Sequence, residues 1–192
     1  YQSYIYHCHL TDEIYQDLKT PYWHWIMMGL QNAGSYNPED YEYTRSFAVD
    51  ERAAACRERI KERVDALGIS GLFHLWSQKT VVCFGDGTYA LSDFLDDSPQ
   101  EETVLHEAVL YAGSHYDGYR QLTTGLLLMF YVLAILGMIG RRQELVTGPR
   151  LAMAGIFFFL LLWETSGRYF TNYVPMILIS AVLAATNKRE DT

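Results

Sequence analysis

The sequence predicts an all-α, polytopic membrane protein, in which a mostly helical external domain precedes three transmembrane helices. Two observations along the 192 residues predict this class. Residues 1–118 hold 19 acidic and 8 basic residues, a net charge of −11, whereas residues 119–192 hold 4 acidic and 7 basic residues, a net charge of +3. Nearly all the long apolar runs also follow residue 118. We therefore divide the chain into an extracytoplasmic domain, 1–118, and a membrane region, 119–192.

Three runs in the membrane region predict spans at about 121–140, 149–165 and 170–187. The first contains 19 consecutive uncharged residues, nearly enough helix to cross a hydrocarbon core of about 30 Å. The second, Leu151–Trp163, has 13 apolar residues and crosses if its helix continues through Glu164. Taken alone, it is equally typical of a buried helix in a soluble core. In the third run, Pro175 suits a first helical turn.

Basic residues at the ends of the spans predict the orientation. Most of them follow the first or the third span: Arg141, Arg142, Arg150, Lys188 and Arg189. Because positive charge is enriched in cytoplasmic loops, the C-terminus is predicted to be cytoplasmic and residues 1–118 external. The chain begins at Tyr1 without a signal sequence, so we expect the natural protein to have further spans upstream.

Several classes of protein and site are excluded by composition. The acidic balance argues against nucleic-acid binding, which needs clustered Lys and Arg. The three cysteines form no CxxC pair and predict neither a disulfide framework nor a zinc site. His7-Cys8-His9 is a possible metal pair, but no further ligand set accompanies it. We therefore expect no metal and no cofactor, and no catalytic dyad follows from motif patterns.

The external domain is predicted to be helices joined by loops. Gly34–Tyr43 has a loop composition. Val49–Leu67 is rich in helix formers and is predicted to end at Gly68. Its charged residues, Arg63 among them, are typical of a solvated helix face. Gly71–Phe84 predicts a second helix, which would lie on the membrane surface or pack against its neighbours.

A first candidate site is the aromatic patch formed by Tyr22, Trp23, His24 and Trp25. Aromatic rings of this kind stack on the face of a sugar, and they also collect at the level of lipid headgroups. Composition leaves both interpretations open.

A second candidate site follows the second predicted span and contains Glu164, Arg168 and Tyr169. An arginine at this depth can bind a lipid phosphate through two charge-assisted hydrogen bonds. Because Glu164 and Arg168 are four residues apart, a structural ion pair on one helix face is the alternative. The spacing leaves both open.

The second candidate site also carries a resemblance. Leu162–Tyr169 (LWETSGRY), followed by Pro175, resembles a stretch near the C-terminal end of bacterial polytopic glycosyltransferases related to the dolichyl-phosphate-mannose protein mannosyltransferases. Other segments are similar to the external domain of the same group: Thr20–Leu30, Tyr36–Phe47, Lys79 and Gly85–Tyr89. The resemblance covers most of the chain in order.

The resemblance implies the glycosyltransferase-C architecture, with many transmembrane helices and an external active site. It implies a polyprenyl-phosphate-linked sugar as donor, transferred to an external acceptor hydroxyl in the manner of a mannosyltransferase. The catalytic acid is expected upstream of Tyr1. Donor-phosphate or substrate binding is implied for six residues here: Arg168, Glu164, Tyr169, Tyr22, His24 and Trp25. The expected partners are the lipid-linked donor and membrane lipid.

Two alternatives remain from the sequence. One is a non-enzymatic protein of the cell membrane whose external domain binds a cell-envelope glycan or a protein partner. The other is a soluble all-helical domain. The alternatives differ in testable ways, because the transferase needs many spans and the soluble domain needs no detergent for extraction.

Overall fold

The protein is described here from a computed structural model that covers residue 14 and residues 18–95, 103–138 and 143–185. These residues are helical and contain no strand, which confirms the predicted all-α class. Eight α-helices and one short 3-10 helix lie within the described ranges. They are α1 (Tyr22–Met28), α2 (Pro38–Arg45), α3 (Arg52–Phe84), the 3-10 helix (Leu91–Phe94), α4 (Val104–Val109), α5 (Tyr116–Met138), α6 (Gln143–Leu162), α7 (Arg168–Thr171) and α8 (Val174–Ala185).

The chain divides into two compact units. Unit 1 comprises residues 1–76 and 162–164, and unit 2 comprises residues 77–161 and 165–192. The helix α3 begins in unit 1 and ends in unit 2.

Unit 1 contains a helix where the sequence predicted a loop. The side chain of Asn37 accepts a hydrogen bond from the backbone N–H of Glu39 at 2.9 Å, and Pro38 is the first residue of α2. Asparagine at the N-cap satisfies a backbone donor, and proline at the next position has a backbone angle suited to a helix. The Asn-Pro pair is thus a helix start, and the loop prediction for Gly34–Tyr43 was wrong at its second half.

The long helix α3 is broken at Gly68. This residue has φ +58° and ψ −174°, a backbone conformation that residues with a Cβ rarely adopt. The predicted end of the first helix at Gly68 is therefore confirmed, and the second helix continues to Phe84. Leu75 is buried on this second helix, so the helix packs against other parts of the chain.

Unit 2 has one apolar core shared by the end of α3 and the helices α5, α6, α7 and α8. Its buried members are Cys83, Leu127, Ala134, Ile156, Leu160, Phe170 and Ile177. Phe170 is fully buried, and its ring meets that of Phe84 edge to face at 4.7 Å between centroids. Aromatic contacts of this geometry add to the stabilisation from apolar burial.

One helix in the described ranges is long and apolar enough to cross a membrane. It occupies Tyr116–Leu136, and 11% of its most apolar window is buried, unlike a helix enclosed in a soluble core. A shorter apolar helix covers Thr147–Leu162, and α8 has 12 residues. The second and third predicted spans are therefore not confirmed at the predicted lengths. In particular, α6 ends at Leu162 and does not continue through Glu164.

Candidate functional site

The aromatic patch of the sequence forms helix α1 in unit 1. Tyr22 is exposed, Trp25 is half-buried, and His24 is fully buried. A helix turns about 100° per residue, so neighbouring side chains face different directions. Tyr22 therefore lies on the surface and His24 in the interior, so Tyr22, His24 and Trp25 do not share one helix face.

A polar network surrounds His24 inside unit 1. Its Nδ1 lies 2.7 Å from the hydroxyl oxygen of Thr44, which also donates to the backbone oxygen of Asp40 at 3.1 Å. The same hydroxyl is 3.5 Å from Sγ of Cys56. Within the described ranges, the other ring nitrogen of His24, Nε2, is buried and has no hydrogen-bond partner. Burial lowers the pKa of His24, against a smaller opposing effect of Asp40, so the ring is held neutral.

A buried ion pair joins α2 to α3. Both carboxylate oxygens of Asp40 accept hydrogen bonds from the guanidinium of Arg63, at 2.6 and 2.9 Å, and Arg63 also donates to the backbone oxygen of Met27 at 2.6 Å. The side chain of Asp40 is 6% exposed and that of Arg63 is 20% exposed. The sequence context predicted that Arg63 lies on a solvated helix face, and this prediction was wrong. The spacing of charged residues along one helix could not reveal a partner on another helix.

Arg168 is exposed and stacked on aromatic rings in unit 2. Its guanidinium carbon lies 4.8 Å from the centre of the Phe94 ring and 5.3 Å from that of Tyr169. Both are cation–π distances. Within the described residues its guanidinium has no hydrogen-bond acceptor and no carboxylate partner. Such a group is oriented by the rings but keeps its donors available to an anion.

Glu164 is buried, and it belongs to unit 1 whereas Arg168 belongs to unit 2. The backbone of residues 163–167 is not α-helical. The i,i+4 geometry of one helix face, on which the ion-pair alternative for these two residues rests, is therefore absent. The helix α6 ends at Leu162, and the backbone of Trp163 lies so close to Gly29 that a Cβ at Gly29 would be 2.6 Å from the backbone oxygen of Trp163.

A buried lysine that the site prediction did not include lies in unit 2. Lys79 is 1% exposed, and its Nζ donates to the backbone oxygen of Leu161 at 2.9 Å. Burial lowers the pKa of Lys79 to about 8. One turn later, burial raises the pKa of Cys83 to about 11, although a hydrogen bond from the backbone N–H of Ser166 opposes this. The sequence signal that could have pointed to this burial is a single lysine in the apolar segment Gly71–Phe84.

No metal site is found where the chain is described. Those ranges contain no group of three or more His, Cys, Asp or Glu residues that could hold a metal ion. The pair His7 and His9, with Cys8 between them, lies outside the described residues.

Comparison with known proteins identifies a membrane family. No curated protein and no solved structure matches the chain. A family model described as "conserved hypothetical integral membrane protein" matches residues 3–188. This match agrees with the long apolar helix at Tyr116–Leu136. Since this family model matches nearly the whole sequence, the chain belongs to the family of conserved hypothetical integral membrane proteins.

Proposed function

We propose that the chain is part of a glycosyltransferase of the cell membrane, which moves a sugar from a polyprenyl-phosphate donor to an acceptor hydroxyl on the external face. In this proposal Arg168 binds the donor phosphate. The observation that carries it is the guanidinium of Arg168, exposed, stacked on Phe94 and Tyr169, and without an acceptor among the described residues. The resemblance of Leu162–Tyr169 to the transferase stretch supports the same assignment.

The position of Arg168 in the chain also favours a lipid phosphate. It lies between the end of α6 at Leu162 and the start of α8 at Val174, two strongly apolar helices. With α5, these are the three proposed spans, so the connector that holds Arg168 would be external and at the depth of the headgroups. A cation is far cheaper there than at the bilayer centre.

The transfer reaction needs a charged group at the leaving phosphate. The acceptor oxygen attacks the anomeric carbon, the bond from that carbon to the phosphate oxygen breaks, and the phosphate leaves with the electron pair. The acceptor proton passes to an acidic residue that acts as the base, as the resemblance implies. Arg168 would stabilise the charge on the departing phosphate through parallel N–H donors. Tyr169 would keep the guanidinium in place.

The test replaces Arg168 by Ala and by Lys in membranes that contain the full-length protein. Donors labelled in the sugar, polyprenyl-phosphate mannose and polyprenyl-phosphate glucose, report transfer to envelope material. We expect Arg168→Ala to lower transfer by about 100-fold, the typical effect of losing one donor to a developing charge. Arg168→Lys should lie between, since lysine keeps the charge but not the two-pronged geometry.

Arg57 offers a matched control. It is also exposed, and its guanidinium lies 5.8 Å from the ring of Trp23, in unit 1. Arg57→Ala should leave transfer unchanged. Wild-type transfer by Arg168→Ala would contradict the role of this residue, and a wild-type protein that transfers neither sugar would contradict the proposed reaction.

A further inference from the structure

A groove in unit 2 runs along the first turns of α5. Its volume is about 660 Å³, within the range of about 300–1,000 Å³ for small-molecule sites. One wall comes from the end of α3 and the turn after it, and the other from α5 and the segment before it. The lining residues are Val81, Val82, Gly85, Asp86, Tyr111, Tyr116, Arg120, Gln121, Thr124, Gly125 and Leu128.

The two walls are held together by a close backbone contact. The backbone N–H of Gly87 donates to the hydroxyl oxygen of Thr124 at 3.1 Å. A side chain at Gly87 would collide with the backbone of Thr123 and Thr124, so only glycine allows this approach. The groove is therefore a built feature of the fold and not a gap between loosely packed helices.

One end of the groove is polar and offers both donors and acceptors. Arg120 and Gln121 supply N–H groups, and Asp86 supplies a carboxylate. The two oxygens of Asp86 accept from the backbone N–H and the hydroxyl of Thr88, at 3.0 and 2.7 Å, and each retains a second lone pair. The rings of Tyr111 and Tyr116 meet at 5.1 Å between centroids and present aromatic surface at the same end.

The charge at this end is negative. Asp93 is the hydrogen-bond partner of Tyr111 and Asp117 is the ion-pair partner of Arg120, so with Asp86 this end of the groove has three carboxylates and one guanidinium. The Arg120–Asp117 ion pair is 3.6 Å long, and the two side chains are 54% and 80% exposed, so the pair is a weak interaction. The hydrogen bond to Asp93, burial, and the charges of Asp93 and Asp86 all raise the pKa of Tyr111. This surrounding disfavours an anionic ligand.

The other end of the groove is apolar and continues onto the membrane helix. Val81 and Leu128 are exposed there. Leu128 is eight residues beyond Arg120 on α5, about 12 Å along the helix axis. A Cβ at Gly125 would meet nothing within 4 Å, so this glycine leaves the groove open between its two ends. Because Tyr116–Leu136 is the candidate span, the polar end corresponds to the membrane surface and the apolar end to the acyl region.

We propose that this groove binds a glycolipid with an uncharged sugar headgroup, the sugar at Arg120, Gln121 and Asp86 and one hydrocarbon chain along Gly125 and Leu128. A sugar uses donors, acceptors and an aromatic face together, whereas a phosphate headgroup would be repelled by the carboxylates. Arg168, Tyr169 and Phe94, which form the proposed phosphate site, do not line this groove. The binding does not depend on the proposed transfer reaction.

The test measures lipid binding to the full chain, purified in an alkyl polyoxyethylene detergent, which carries no sugar. Three lipids with identical acyl chains are compared by competition and native mass spectrometry: monoglucosyl diacylglycerol, phosphatidylglycerol and phosphatidylethanolamine. We expect the glucosyl lipid to bind about tenfold more tightly than either phospholipid, because the headgroup gains one or two additional hydrogen bonds. Its affinity should not change when the salt concentration is raised, because the headgroup is neutral.

Two variants locate the site. Gly125→Leu places a side chain in the open part of the groove and should reduce glucosyl-lipid binding about tenfold or more. Gly155→Leu is the matched control, since Gly155 is also an apolar-helix glycine with open space around it but does not line the groove. Arg120→Met removes headgroup donors from an exposed position and should also weaken binding, without affecting folding.

Three results would overturn the proposal. The first is a phospholipid that binds as tightly as the glucosyl lipid. The second is a Gly125→Leu variant that binds like Gly155→Leu. The third is an affinity for the glucosyl lipid that falls steeply with salt.

Discussion

The buried ion pair between Asp40 and Arg63 allows a sharp test of how unit 1 is stabilised. Replacing Asp40 by Ala removes both acceptors of a two-pronged pair whose bonds are 2.6 and 2.9 Å long. The guanidinium of Arg63 then keeps only its bond to the backbone oxygen of Met27. Because Arg63 is only 20% exposed, water cannot fully replace the lost carboxylate.

The expected magnitude follows from this burial. Removing one partner of a buried pair leaves an uncompensated charge and typically costs about 3–5 kcal/mol. Replacing both partners, as in Asp40→Ala with Arg63→Met, should cost less than Asp40→Ala alone, since no buried charge remains. The control is Arg59→Met on the same helix. Arg59 contacts Glu62 at 3.4 Å with side chains 39% and 57% exposed, and its guanidinium carbon lies 4.4 Å from the centre of the Tyr43 ring. Because Arg59 is exposed, losing both contacts should cost about 1 kcal/mol.

Tryptophan fluorescence is a suitable assay because of where the tryptophans lie. The protein has four, and Trp23, Trp25, Trp76 and Trp163 all belong to unit 1. A denaturant titration followed by their emission therefore reports on the unit that contains the ion pair. The free energies of unfolding of four proteins form a double-mutant cycle: wild type, Asp40→Ala, Arg63→Met and the double variant.

Two results would contradict a buried ion pair. The first is a cost for Asp40→Ala no greater than that for Arg59→Met, which would mean that Arg63 is solvated in the folded protein. The second is strict additivity of the Asp40→Ala and Arg63→Met costs, which would mean that the two side chains do not interact. The buried geometry predicts a coupling of about 0.5–3 kcal/mol.

Three further changes test other contacts. Gly29→Ala should destabilise unit 1 by about 1–3 kcal/mol in the same fluorescence assay, because the new Cβ would lie 2.6 Å from the oxygen of Trp163. The folded-state pKa of Lys79 is lowered from its ordinary 10.5 to about 8. Between these pH values the unfolded chain binds more protons than the folded chain, so the stability should rise with pH. Unfolding followed by circular dichroism should show this rise in wild type but not in Lys79→Met. The pKa of His24 is lowered from its ordinary 6.5, so stability should fall as the pH drops below about 6.5, and His24→Gln should lose this dependence in acid titrations.

These three predictions have clear contrary outcomes. An alanine at position 29 that leaves the unfolding free energy unchanged would show that the backbone at Trp163 is not held close. Equal pH slopes for wild type and Lys79→Met between pH 8 and 10.5 would place the Lys79 amine in water. A slope that survives in His24→Gln would assign the acid sensitivity to another group.

Local signals in the chain predicted some elements and were misinterpreted at others. Gly68 ends a helix in a conformation, φ +58° with ψ −174°, that residues with a Cβ rarely adopt, and a glycine at this point is a stop signal from residue type alone. Asn37 and Pro38 carry an equally local helix-start signal, which a turn interpretation concealed. The end of α6 at Leu162 lies inside an apolar run that gives no stop signal, and the close approach of the Trp163 backbone to Gly29 joins segments far apart in the chain.

The candidate site shows the same division. Arg168 could be singled out from the sequence, because an arginine after an apolar run suggests a headgroup contact. Its contact with Phe94, which orients the guanidinium, joins segments far apart in the chain. His24 belonged to a promising aromatic patch, yet its burial on one face of α1 sets it apart from Tyr22.

The sequence by itself determined the helical class and the start of the apolar region, because side-chain periodicity, glycine and proline act on their own neighbours. It also determined that an integral membrane protein is expected, since apolar runs of this length reflect the solvent around them. Tertiary structure alone decided that Arg63 pairs with Asp40, that Lys79 is buried against Leu161, and that a groove opens beside Gly125. Each of these depends on which surfaces meet in space, and a pairing between distant segments leaves no periodic trace in a single sequence.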